Sequence, residues 1–169
     1  MHAAQQHLPD LYKIRLMQDA DRAEISAICA SVYPTERPYT DEELRSHHAL
    51  FPEGQFVVEH TPSGAVAGAH FTLMLNMLHF HVDDSWDTLT AGGTFSDHDP
   101  AGHTLYGADL FVHPGHQHHG LAGQGLGQTV ADFDHRVKVD PPEDDADIGP
   151  GRTQGDQNFL AGMQADARG

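Results

Sequence analysis

The chain has 169 residues, of which 25 are Asp or Glu, 9 are Lys or Arg, 15 are His and one is Cys, for a formal net charge of -16. That length suits a single domain, and such acidity argues against nucleic acid or an anionic membrane surface as partner. The lone Cys29 has no internal disulfide partner, and the longest mostly apolar run, Val66 to Phe80, is interrupted by His70 and Asn76; with no signal-peptide pattern, a cytoplasmic protein that does not span a membrane is expected.

Tyr12 to Met17 alternates and predicts a first strand. Asp19 to Val32 then has a helical period, with Ile25, Ile28, Cys29 and Val32 on one stripe and Asp21 and Glu24 at capping-box spacing. Cys29 therefore reads as a buried stripe residue. Pro34 and Pro38 interrupt the chain, and Thr40 with Glu43 predicts a second capping box opening a short helix to about Phe51, whose His47 and His48 are expected to face solvent. Gln55 to His60 and Ala65 to Leu78 are rich in strand formers, and Thr61-Pro62-Ser63-Gly64 between them predicts a hairpin. His79 and His81, two apart, would share a strand face.

Val82 to His103 carries Trp86, several Asp and several Gly, and reads as a loop of more than ordinary length, the kind that often bears function. Leu105 to Val112 is the next strand, ended by His113-Pro114-Gly115. From Gly120, Ala122, Leu126, Val130, Phe133 and Val137 recur at helical spacing, and Asp140-Pro141-Pro142 stops the pattern. Glu143 to Gly169 is acidic, Gly-rich and poor in branched aliphatic residues. The domain is thus expected over 11–140 and a disordered tail over 141–169.

No Lys or Arg lies between Arg45 and Arg136, so an anion bound by that stretch must be held by backbone N–H groups or by histidine. The turn Gln117-His118-His119-Gly120-Leu121-Ala122, between a strand and a helix, offers such a cradle. Gly120 admits close backbone approach, successive amides can converge, and the helix that follows adds the positive end of its dipole.

Leu110-Phe111-Val112-His113-Pro114 with Gln117-His118-His119-Gly120-Leu121-Ala122 resembles the acetyl-coenzyme A motif of the GNAT superfamily of N-acetyltransferases, Gln or Arg, any two, Gly, any, Gly or Ala. Tyr33-Pro34, Phe51-Pro52-Glu53-Gly54-Gln55, Gly93-Thr94-Phe95-Ser96, His98-Asp99-Pro100 and Leu105-Tyr106-Gly107 resemble the acetyltransferase domain fused ahead of carbon-nitrogen hydrolases in some bacteria. The likeness covers about residues 12 to 126 and leaves no room for the hydrolase domain. It implies an α/β (α+β) fold, a mixed, mostly antiparallel sheet flanked by helices. Because the strands that follow the motif helix in the family have no counterpart in Glu143 to Gly169, the fold is expected to be incomplete on its C-terminal side, through truncation or a change of frame.

The resemblance further implies an acetyl-CoA-dependent N-acetyltransferase acting on a small-molecule or peptide amine. The pantetheine arm would pair with the backbone of Phe111 and Val112. The diphosphate would rest on Gln117, His118, His119, Gly120, Leu121 and Ala122, with partial protonation of His118 and His119 standing in for the arginine common in relatives. Asp109 is the implied base, on the strand face shared with Phe111 and His113. A coenzyme-binding module without catalysis is one alternative. A metal-binding protein using His113, His116, His118 and His119, with Asp97, His98 and Asp99, is another, although no spacing matches a closed metal site and none is assigned.

Overall fold

In the computed structural model, which describes residues 11–81 and 83–123, four strands form one sheet covered on one face by two helices. They are β1 (Tyr12–Leu16), β2 (Gln55–His60), β3 (Ala65–Leu75) and β4 (Thr104–Val112), neighbours in chain order and antiparallel at every pairing. The α+β fold with an antiparallel sheet and flanking helices is thus the one the sequence implies. The helix pattern beyond Gly123 and the 141–169 tail lie outside the described residues.

β3 is buried at ten of its eleven positions, as befits a strand with a partner on each edge. Its pairing with β2 is the predicted hairpin, closed by Thr61 to Gly64 with Gly64 at φ 71°, a conformation that glycine adopts without strain. Ala69, Phe71, Leu73 and Leu75 lie on one face of β3 and pack with Val57, Phe111 and the helices above them. α1 (Arg22–Val32) contributes Ile25, Ile28 and Cys29, the predicted stripe, and α2 (Asp41–Leu50) contributes Leu44. Each such side chain fully buried is worth roughly 1.5–3 kcal/mol. A smaller cluster on the other face joins Tyr12, Val58, Ala67 and Leu121.

The Thr40–Glu43 capping box forms as its spacing predicts: Glu43 N–H donates to Thr40 Oγ1 at 3.2 Å, and Thr40 N–H donates to Glu43 Oε2 at 2.9 Å. The one predicted from Asp21 and Glu24 does not form. Asp21 ends a 3-10 turn, Asp19–Asp21, and accepts from Gln18 N–H at 2.7 Å and from both terminal nitrogens of Arg15 at 2.7 and 2.8 Å, while Glu24 accepts from Val66 N–H on β3 at 2.9 Å. Two tertiary partners outcompete a local cap.

The histidine expectations also change. His47 is fully buried, stacked on Phe95 with ring centroids 3.6 Å apart and bonded through Nε2 to the Gly93 carbonyl at 2.6 Å. Burial pushes its pKa down to about 4, so it is a neutral core group, and only His48 is partly exposed. His79 sits in a 3-10 turn, Met77–His79, beyond the end of β3, so His79 and His81 share no strand face. The segment read as a long loop contains a short helix, α3 (Trp86–Leu89), capped by Ser85 accepting from Thr88 N–H at 3.2 Å. Phe95 within it is buried at φ 62°, an uncommon backbone conformation for a large side chain, and the stacking with His47 offsets its cost.

The β3–β4 ladder contains a bulge. Phe71 pairs with Asp109 but Thr72 pairs with Gly107, leaving Ala108 as the extra residue. Side chains alternate along a strand, so in an unbulged ladder keeping the same residues Asp109 would turn to the face away from the helices.

Two outcomes test this packing. A Cβ on Gly102 would lie 2.6 Å from the Leu75 carbonyl carbon and 3.0 Å from the Asp99 oxygen, both backbone atoms, so Gly102→Ala should lower unfolding free energy in urea by about 1–3 kcal/mol. Arg37, joined by the Thr40 N–H and hydroxyl, holds the Glu43 carboxyl at about 2 against the opposing effect of burial. A depressed carboxyl pKa stabilises above the unfolded value, near 4.5, and that contribution fades as pH falls toward 2. Glu43→Gln should therefore cost about 1–3 kcal/mol at pH 7 and distinctly less at pH 3.

Candidate active site at β4

β4 carries both halves of the candidate site, a carboxylate cluster in mid-strand and a glycine turn at its end. The bulge places Asp109 and Phe111 on the helix-covered face, opposite Phe71 and Ala69. Asp109 is half-buried and accepts a hydrogen bond from the Tyr33 hydroxyl at 3.3 Å. The Tyr33 ring meets Phe111 edge-on at 6.4 Å.

The Asp109 charge reaches two further groups. The Tyr39 hydroxyl is buried close to Asp109, and burial together with that neighbouring charge raises its pKa well above the ordinary phenol value. Cys29 is raised for the same two reasons, burial first, so both groups keep their protons beside Asp109. The indole N–H of Trp86 donates to the Ala108 carbonyl at 2.8 Å, holding the bulged peptide beside Asp109. Among the described residues, no strand pairs with the outer edge of β4.

At the end of β4 the ladder runs one residue further, His113 N–H donating to the Ala67 carbonyl at 2.8 Å, before the 3-10 turn Pro114–His116. His118 and Gly120 then adopt φ 69° and 72°. Left-handed residues in a turn are a backbone form that can present successive amides to an anion. Gln117 folds back, its Nε2 donating to the Val112 carbonyl at 3.0 Å, and Leu121 is buried while Gln117, His118, His119, Gly120 and Ala122 are exposed. The structure thus places Asp109, Phe111 and Val112 on one strand and Gln117 to Ala122 in the turn that leaves it.

From sequence, Tyr33 is singled out only within the family resemblance and Trp86 only within the loop 82–103, and Tyr39 is not singled out. Tyr33 and Tyr39 flank the proline-broken segment after α1, and Trp86 belongs to the connection before β4; no periodicity links residues so far apart to Asp109. The histidine and aspartate set weighed as an alternative does not form a metal site among the described residues. His98 Nδ1 accepts from Met74 N–H at 3.1 Å with its ring stacked on Phe51, and no group of three His, Cys, Asp or Glu among the described residues is arranged to hold a metal ion. His113, His116 and His119 gather instead around Tyr12 with His60, which spacing alone does not bring to them.

No model of a protein family matches the chain. Its sequence is 32% identical over 101 residues to "Probable hydrolase YhcX" of Bacillus subtilis (strain 168), covering 60% of this chain and 19% of that protein. It is 30% identical over 98 residues to "Uncharacterized N-acetyltransferase YkwB" of the same organism, covering 58% of this chain and 42% of that one. The chain therefore spans less than half the length of either relative. Among solved structures it resembles the loading GNATL domain of CurA from Lyngbya majuscula, with a TM-score of 0.59 at 15% identity over 75% of this chain and 60% of that one. The GphF GNAT-like decarboxylase, solved with isobutyryl-CoA, also reaches 0.59, at 23% identity over 73% of this chain and 60% of that one. On these likenesses, with its antiparallel sheet, two covering helices and glycine turn after the fourth strand, the chain has the GNAT fold.

Proposed function

We propose that the chain binds acetyl-coenzyme A and transfers the acetyl group to a primary amine on a small molecule or peptide. The observation that carries this reading is the arrangement on β4: a half-buried Asp109 on a strand whose end runs directly into the left-handed turn at His118 and Gly120. The likeness to an N-acetyltransferase and to a GNAT-like structure holding an acyl-CoA supports it.

The fit to such a ligand is backbone-made. Exposed amides of Gln117 to Ala122 would take the diphosphate, the Gly120 position leaving room that a Cβ would fill. The outer edge of Phe111 and Val112 would pair with the pantetheine amides as an added strand does. The coenzyme supplies an activated thioester. Asp109, oriented by the Tyr33 hydroxyl, accepts the proton that the attacking ammonium must lose, directly or through one water. The amine nitrogen then bonds to the carbonyl carbon, the carbon–sulfur bond breaks, and the thiolate leaves and is protonated, so amide and free thiol are the products. N–H groups of β4 near the bulge polarise the carbonyl as charge builds on its oxygen. Asp83, Asp84 and Asp87 beside Trp86 make the connection before β4 acidic, which favours a cationic acceptor.

Thermal shift with acetyl-coenzyme A and thiol release with a panel of amines test the reading. Stabilisation with no thiol release from any amine would instead mark a coenzyme-binding module. Asp109→Asn should lower kcat by about 10²–10⁴-fold with coenzyme affinity changed by less than about threefold. Gly120→Val, a β-branched residue at a left-handed position, should weaken coenzyme binding by at least about tenfold.

A further inference from the structure

The turn that leaves β4 is docked on the sheet by imidazoles. His60, at the end of β2, His116 and His119 surround Tyr12 of β1, and His113 packs on His116. Ring centroids are 4.9 Å apart for His60 and His116, 5.6 Å for His113 and His116, 5.4 Å for Tyr12 and His60, and 6.1 Å for Tyr12 and His119. Tyr12 also packs with the buried Leu121, so the same tyrosine anchors the turn on both sides of Gly120.

One hydrogen bond depends on a neutral ring. Gly115 N–H donates to His113 Nδ1 at 3.0 Å, which requires a lone pair that an imidazolium lacks. The Tyr12 hydroxyl and His116 Nδ1 are hydrogen-bonded at 2.9 Å, with a direction that follows the tautomer of the ring. The surroundings offer no countercharge. Tyr12 of β1, His60 of β2 with its Ser63 hydroxyl partner, and His113 and His119 of the turn face His116. Lys13 and Glu59, the adjoining registered pair, lie on the other face by strand alternation, and Glu59 is bonded there to Arg15 at 2.5 Å. Among the described residues, the charges that act on His116 are those of His60, His113 and His119. Burial and these rings lower its pKa, so neutrality holds at pH 7 and stabilisation of the docked turn is lost as pH falls.

We propose that His113 to Gly120 is a proton-sensitive latch, closed on β1 and β2 while His116, packed among His60, His113 and His119, is neutral and loosened when it protonates, with coenzyme released in the mildly acidic range. This rests on the coenzyme site argued above and adds its regulation. Histidine is the one side chain whose unperturbed titration falls in that range. The direction opposes simple charge attraction, in which imidazolium groups would tighten phosphate binding.

The test is the Kd for coenzyme A from pH 8 to 5.5, by calorimetry, on the full chain and on His116→Gln, whose amide oxygen can still accept from Tyr12; His60→Gln is the second variant should the first not fold. Weakening of about tenfold or more across this range, reduced to about threefold or less in the variant, is the expected result. Unchanged or tighter binding in acid overturns the latch, and so does parallel weakening of both proteins, which would be titration of the ligand's own phosphate. If coenzyme A binds at no pH, the proposed function fails instead. The latch is then judged by hydrogen exchange of amides 112–120, corrected for intrinsic pH dependence. Faster exchange at pH 5.5 than at 8 in the wild type alone supports it, and equal protection overturns it.

Discussion

The site depends on one inserted residue. Ala108 bulges from β4 opposite the Phe71–Thr72 step, and this shifts the face on which every later residue of the strand is presented. Before the bulge Tyr106, paired with Leu73, packs against the helix-covered core; after it Asp109 and Phe111 return to that same face. A regular strand would send Asp109 to the opposite side, away from Tyr33, Tyr39 and Cys29. The Trp86 indole satisfies the Ala108 carbonyl that the bulge displaces, which ties the short helix of the preceding connection to the geometry of the strand.

Electrostatics divides the same way between carboxylate and backbone. The chain is strongly acidic, and the Asp109 carboxylate on β4 sits beside a phenol and a thiol held protonated by burial and by that very charge. The anion proposed for Gln117 to Ala122 would lie a length of strand away from this carboxylate. With no Lys or Arg between Arg45 and Arg136, the proposed cradle would rely on backbone amides in the turn where His118 and Gly120 are left-handed.

Histidine, abundant here, takes different roles in different surroundings. His47 and His70 are buried neutral groups with pKa values pushed down to about 4 by burial, each leaving a ring nitrogen without a partner among the described residues. His98 accepts a β3 amide and stacks on Phe51. The rings around Tyr12 form a patch at the end of β1 and β2. The sequence distinguishes none of these, since adjacent His47 and His48 look equivalent until Phe95 and Gly93, nearly fifty residues later, cover one of them.

Much of the fold was legible because its signals are local: the alternation of β1, the Ile25, Ile28 and Cys29 stripe, the Thr40–Glu43 cap and the turn at Gly64 are each decided within a few residues. Of the candidate site, the glycine turn and Asp109 were legible from their resemblance to a known motif. Tyr33, Tyr39, Trp86 and His60 were not, and neither was the failure of the Asp21–Glu24 cap, where Arg15 and Val66 compete for the same carboxylates. The sequence by itself determined element type and order, because periodicity, capping and glycine conformation are short-range properties of the chain. Only the tertiary structure decided which face Asp109 occupies and which imidazoles meet, because a bulge and a cross-strand register depend on partners that lie far away along the chain.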